Sequence, residues 1–201
     1  EIEIVSLRVP LLDVEKVGDL RERIAQIRRQ TALDLGIILQ SIRVRDNLQL
    51  APNTYQIKLK GVAIESGEVY PEKYLAMNAA NIPEENSPIK GIKAVEPAFG
   101  LPALWIDEAD KENAKIIGYT VVTPSAVIST HLTEVIKKNA ADILTRGDVQ
   151  SLLDNLKKQN EDMAEALIKD INIAQLQIVM QNLLQERISV RDLESILETL
   201  S

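Results

Sequence analysis

Residues 96–109 read EPAFGLPALWIDEA, and they hold the only Phe and the only Trp of the 201-residue chain, Phe99 and Trp105. Pro97 and Gly100 bracket Phe99 in turn chemistry, so the first half reads as a loop. LPALWI, with Leu101, Leu104 and Ile106 around Trp105, reads as a core strand, and the acids that open DEADKENAKIIG suit the start of a helix. Loop, strand and helix follow in close succession. Trp105 belongs to the sheet core. Phe99 leaves two readings open, an anchor for a partner or a ring tucked into its own domain.

The pattern extends in both directions. Upstream, KYLAMN reads as a strand, and residues 78–93, NAANIPEENSPIKGIK, read as a polar loop long enough to be functional or mobile. Downstream come the strand YTVV and the helical stretch TPSAVISTHLTEVIKKNAADIL, with Thr123 as N-cap and Pro124 at the first helical position. Nearer the start, EIEIVSLRV alternates as a half-buried strand, as does TYQIKLKGVAIESGEV, where Tyr55, Ile57 and Leu59 share one face; SIRVRD reads as a short strand. Between them DLRERIAQIRRQTALDLG has helical spacing, with Asp19 able to cap it and Gly36 to stop it. From Thr145 the alternation ends. TRGDVQSLLDNLKKQ, EDMAEALIK, NIAQLQIVMQNLLQE and SVRDLESILETL read as four short amphipathic helices, the last opened by Ser189 with Asp192 as an acidic capping box. The expected class is α+β.

Composition narrows the function. At 22.4 kDa the chain can bury a core as one irregular domain or two small ones. A net charge of −7 argues against a nucleic-acid partner. Without cysteine there is no disulfide, thiolate nucleophile or cysteine metal site. No apolar run approaches the roughly 20 residues that span a bilayer.

Catalytic chemistry finds little to work with. His131 is the single histidine, and on a helical wheel it flanks the stripe of Val127, Ile128, Leu132, Val135 and Ile136, as a packed histidine would. Asp107, Glu108, Asp110 and Glu112 crowd a helix start, which explains them without a metal. Arg21, Arg23, Arg28, Arg29, Arg43 and Arg45 read as solvated side chains, since stacking aromatics are missing from the strands apart from Tyr55. Phosphate-loop, dinucleotide, zincin and nucleophile-elbow motifs are absent. We expect no enzyme, no cofactor and no metal. Thr130 is different, because it points roughly 160° from the middle of its helix's apolar stripe.

Taken in order, GDLRERIAQIRRQ, IRVRDNLQLAPNTYQIKLKG, VEPAFGLPALWIDEA, GYTVVTPSAVISTHLTEVI and SVRDLESILETL resemble the cytoplasmic domain of the FlhA-type export gate family of flagellar biosynthesis and type III secretion. The resemblance implies two small α/β subdomains, the second inserted into the first, followed by a helical one: residues 1–71 with 124–143, then 72–123, then 144–201. It implies a docking platform for export chaperones carrying filament, cap and related late substrates, at the cytoplasmic side of the bacterial inner membrane. Other export components and a homo-oligomeric ring, a nonamer in the family, are implied as partners, and a mainly ring-forming role is the alternative. A membrane-spanning half and a fourth cytoplasmic subdomain are implied outside this sequence, so that the piece itself is expected to be soluble. The family's docking residues fall on Glu96, where Asp is usual, on Phe99 and on Thr130, which Ser129 precedes in place of Ala.

Overall fold

A computed structural model describes residues 2–6, 14–83, 89–159, 161–169 and 171–200. Strands β1 (Ile2–Ser6), β2 (Ile42–Asp46), β3 (Thr54–Leu59) and β4 (Val62–Glu68) form one sheet in the order β2-β1-β3-β4. β1 runs parallel to β2 and antiparallel to β3. A parallel pair needs a long crossover, and helix α1 (Val14–Leu35) lies within it. β3 follows its alternation, with Tyr55, Ile57 and Leu59 buried.

Helix α1 corrects one expectation. It begins at Val14, so Asp19 lies inside it rather than capping it. There the carboxylate accepts from Arg23 Nε at 3.0 Å, one turn on, and from the Ser125 hydroxyl. Burial pushes the Asp19 carboxyl up, but the hydroxyl and the guanidinium together outweigh it and hold the group below its ordinary range.

The second sheet is antiparallel throughout. Strands β5 (Tyr74–Met77), β6 (Ile92–Val95), β7 (Pro102–Ile106) and β8 (Thr120–Val122) stand in the order β6-β7-β5-β8. Helix α2 (Lys111–Ile117) follows a 3-10 turn at Glu108–Asp110, and its Ala114 joins Ala76, Ile106 and Tyr119 in a buried cluster. The expected loop at 78–93 is shorter than its polar composition suggested, because β6 claims Ile92 and Lys93 by pairing with β7. Asn78 closes its start, donating from Nδ2 to the Ile82 carbonyl and accepting from the Ile82 N–H. The middle of that loop, residues 84–88, lies outside the described residues, as do 7–9 of the expected first strand.

Helix α3 (Pro124–Lys138) starts as predicted, with the Thr123 hydroxyl accepting from the Ala126 N–H at 3.3 Å. After it come α4 (Ala140–Ile143), α5 (Arg146–Gln159), α6 (Glu161–Ile168), α7 (Ile173–Gln185) and α8 (Leu193–Leu200). The chain divides into two compact units, Glu1–Ala25 with Ser41–Val135, and Gln26–Gln40 with Ile136–Ser201. The first holds both sheets. The second has no strand among the described residues and buries Leu39, Leu153, Leu176, Met180, Val190 and Leu197.

Caps set the helix boundaries of the second unit. Thr145 and Asp148 cap α5 reciprocally, the Thr145 N–H donating to the carboxylate at 2.8 Å and the Asp148 N–H to the hydroxyl at 3.2 Å. Asn172 opens α7 by accepting from the Ala174 N–H. At α8 the cap is Asp192 rather than Ser189, since its carboxylate accepts from both the N–H and the hydroxyl of Ser195. Gly36 ends α1 with φ +77°, and a Cβ there would stand 2.4 Å from the Arg191 Cα, so no side chain fits.

Candidate functional site

β6 and β7 are two arms of a hairpin joined by residues 96–101, and the site is built on that connection. The Glu96 N–H donates to the Leu101 carbonyl at 2.8 Å, and the Gly100 N–H returns to the Glu96 carbonyl at 2.9 Å. Gly100, at φ +72°, supplies the left-handed residue that the tight return requires. Within this frame the Glu96 side chain folds under its own loop. Its Oε1 accepts from the Ala98 N–H at 2.9 Å and its Oε2 from the Phe99 N–H at 2.8 Å.

Glu96 is only 2% exposed. A carboxylate that far from water is costly unless hydrogen bonds satisfy it, and each charge-assisted bond is worth about 1.5–3 kcal/mol. Two successive amides are thereby fixed beneath the turn, and the Phe99 side chain is left 63% exposed. Six residues on, Trp105 is 2% exposed on β7, its ring 5.6 Å from that of Tyr70. The two aromatics of the opening stretch have opposite surroundings.

Helix α3 contributes the other side. Thr130 is exposed, as its wheel position predicted, while its neighbours Ser129 and His131 are buried. Ser129 donates to the Ala126 carbonyl, a bond within the helix. His131 is 3% exposed, and its Nδ1 lies 2.7 Å from the Tyr55 hydroxyl with the rings edge to face. Burial, and after it the Glu96 and Glu65 carboxylates, push the Tyr55 phenol far above its ordinary value. The phenol therefore keeps its proton and can donate it to Nδ1. This is a buried pairing of a histidine with a tyrosine.

A cavity of about 380 Å³ brings these parts together, lined by Glu96, Pro97 and Gly100 from the loop and by His131 from α3. Phe99 sits in the chain between two of those lining residues, and Thr130 is next to His131. Glu96 thus underpins the loop, whereas Phe99 and Thr130 present side chains to the outside. Reading by sequence missed the other residues of this hollow, above all Glu65–Glu68 on β4 and Tyr70. Only the alternation of β4 could have pointed to them. Among the described residues no group of His, Asp and Glu could hold a metal ion. Asp107 pairs with Lys73 at 2.5 Å and Glu112 with Lys115 at 2.8 Å, which occupies two of the acids that had stood out.

The FHIPEP family profile matches residues 1–201. The chain belongs to the FHIPEP family. Among FHIPEP relatives it is 44% identical over 194 residues to the flagellar biosynthesis protein FlhA of Bacillus subtilis, covering 96% of this chain and 28% of that protein. To FlhA of Helicobacter pylori it is 47% identical over 193 residues, covering 96% of this chain and 26% of that one. It spans about a quarter of the length of these relatives. The CdsV protein of Chlamydia pneumoniae, solved in complex with CdsO, superposes with a TM-score of 0.82 at 26% identity, over 99% of this chain and 62% of that one. The nonameric EscV cytosolic domain of a type III secretion system shares the fold, with a TM-score of 0.67 at 18% identity over 99% of this chain and 57% of that one. This FHIPEP chain has the α+β fold of type III export gate cytoplasmic domains, and no helix among its described residues is long and apolar enough to cross a membrane.

Proposed function

We propose that this FHIPEP chain is a docking platform of a type III export gate, capturing export chaperones loaded with filament, cap and related late substrates at the cytoplasmic side of the bacterial inner membrane. Phe99 supplies the apolar contact, Thr130 an exposed hydroxyl on α3, and Glu96 holds the loop in shape from below. The observation that carries the reading is the exposed Phe99 ring on a loop locked by a buried carboxylate. Covering such a ring is worth about 1.5–3 kcal/mol, the scale of a reversible contact that the rest of the interface must supplement. The loop backbone is fastened to the Glu96 carboxylate without a partner, which lowers the ordering cost of binding. The proposed division into 1–71 with 124–143, 72–123 and 144–201 is supported by two separate sheets followed by a helical run.

The test is a calorimetric titration of flagellar export chaperones against the parent and Phe99→Ala, with folding checked by circular dichroism. The expected result is a folded variant whose affinity falls about tenfold or more. Equal affinities would overturn the reading.

A second role, as a ring-building module, is favoured by large apolar side chains exposed in the helical unit, Ile178 and Ile188 among them, and by likeness to a domain solved as a nonamer. Light-scattering mass across a concentration series, with Ile178→Glu and Ile188→Glu beside the parent, separates the two. A further export component, of the kind CdsO is to CdsV, is a third candidate partner.

A further inference from the structure

Helix α3 is tied down on both sides of its apolar stripe. Taking roughly 100° per residue, Ser125 and His131 stand about 120° apart around the helix, with Ile128, Leu132 and Val135 between them. All five are buried, and the two polar ones bond outside the helix. Ser125 donates to Asp19 Oδ2 of α1, and Arg23 Nε holds the same oxygen at 3.0 Å. His131 Nδ1 lies 2.7 Å from the Tyr55 hydroxyl of β3. Along the axis the two ties are about 9 Å apart. Thr123 extends the first of them. Its hydroxyl lies 3.1 Å from that of Ser125 and, because the Ser125 proton is committed to Asp19, donates there while accepting from the Ala126 N–H.

What the ties add is direction. Apolar burial has no preferred angle, whereas a hydrogen bond weakens steeply once bent, so the stripe chooses which side of α3 is buried and the two bonds fix its roll. Thr130 is where roll matters most. It is exposed, and it lies about 160° around the helix from the line that bisects the ties. At a radius of about 5 Å, a roll of about 20° carries its hydroxyl about 1.7 Å, enough to break a hydrogen bond to a partner.

We infer that the Ser125–Asp19 and His131–Tyr55 bonds position Thr130 for docking. Tyr55, at 0% exposure, is out of reach of any partner and acts only through α3, as a positioning residue; Asp19 does the same from the other side. All of these residues belong to the first compact unit. The inference rests on the docking function proposed above and adds to it the residues that aim the Thr130 hydroxyl.

The test is a set of double-mutant cycles in the calorimetric chaperone titration, run on the whole chain with folding followed by circular dichroism. Thr130→Ala and Tyr55→Phe are each expected to lower affinity about threefold, the scale of one hydrogen bond. Together they should lower it hardly more than either alone, because the hydroxyl that Tyr55 aims is already gone. Tyr55→Phe with Phe99→Ala should instead multiply, since Phe99 stands on another element. Ser125→Ala, a mild change within a helix, should repeat the pattern from the other tie, and it decides if Tyr55→Phe does not fold. His131→Leu should fall as far as Tyr55→Phe, and His131→Asn, which keeps an acceptor for the Tyr55 hydroxyl, should recover most of that loss. Multiplicative losses in the cycles with Thr130→Ala, or parent affinity in folded Tyr55→Phe and Ser125→Ala, overturn the inference. Phe99→Ala tells two failures apart: a loss of about tenfold there leaves the docking reading standing while the inference falls, and parent affinity there removes both.

Discussion

Strand β7 and the loop that leads into it are neighbours in sequence and opposites in how their exposure is determined. Along β7 the sheet decides, for pairing with both β5 and β6 fixes the register, and Ala103, Trp105 and Ile106 are buried as a result. In the loop a single side chain decides. Glu96 bonds two amides from beneath, and the aromatic that follows is left in water. A large ring exposed on a slack turn would fold back onto the protein; here the backbone that carries it is already committed.

The contrast breaks most visibly at Trp105. Trp105→Ala should cost about 3–5 kcal/mol in a urea titration, or abolish folding, since it empties a core site. Glu96→Ala comes next, at about 1–3 kcal/mol for the amides it strands, and it should weaken chaperone binding about as much as Phe99→Ala despite being buried. If Glu96→Ala binds normally, the carboxylate does not hold the loop. Removing the α7 cap by Asn172→Ala should cost about 1 kcal/mol and leave chaperone affinity alone, which tests whether general loosening can mimic a loop defect. Phe99→Ala should move the urea midpoint by no more than about 0.5 kcal/mol equivalent while affinity falls.

The smallest effect expected is one of pH. Asp19 titrates lower in the folded chain than in the unfolded one, so its contribution is complete above the ordinary carboxylate value of about 4 and fades as pH falls through the lower folded value. Asp19→Asn should thus be less stable than the parent near neutrality, the gap closing in acid. A gap that persists in acid would mean the charge is not what matters.

How much of this could be read beforehand depended on whether a pattern was periodic. β3 and the buried stripe of α3 repeat, so their faces were legible, and Thr130 could be placed outside by its angle alone. β6 was missed altogether, because Ile92 and Lys93 end a polar, proline-bearing stretch read as loop and Ala94 and Val95 carry no alternation of their own; only the ladder to β7 makes the four a strand. Asp19 and Ser189 misled for a shared reason: residues that can cap are also at home elsewhere, and the backbone amides that lack partners cannot be seen in a sequence. The choice for Phe99 stayed open for want of a periodic element around it. Glu96 could be singled out by resemblance, but its burial under its own loop follows from a return of the backbone that no spacing encodes.

Strand β1 lies between two others, bound in parallel to β2 and in antiparallel to β3. Tension drawn along it would load two ladders at once in shear, where a border strand would unzip one bond at a time. The start of this sheet is therefore a mooring, able to transmit a pull to the body behind it before it yields.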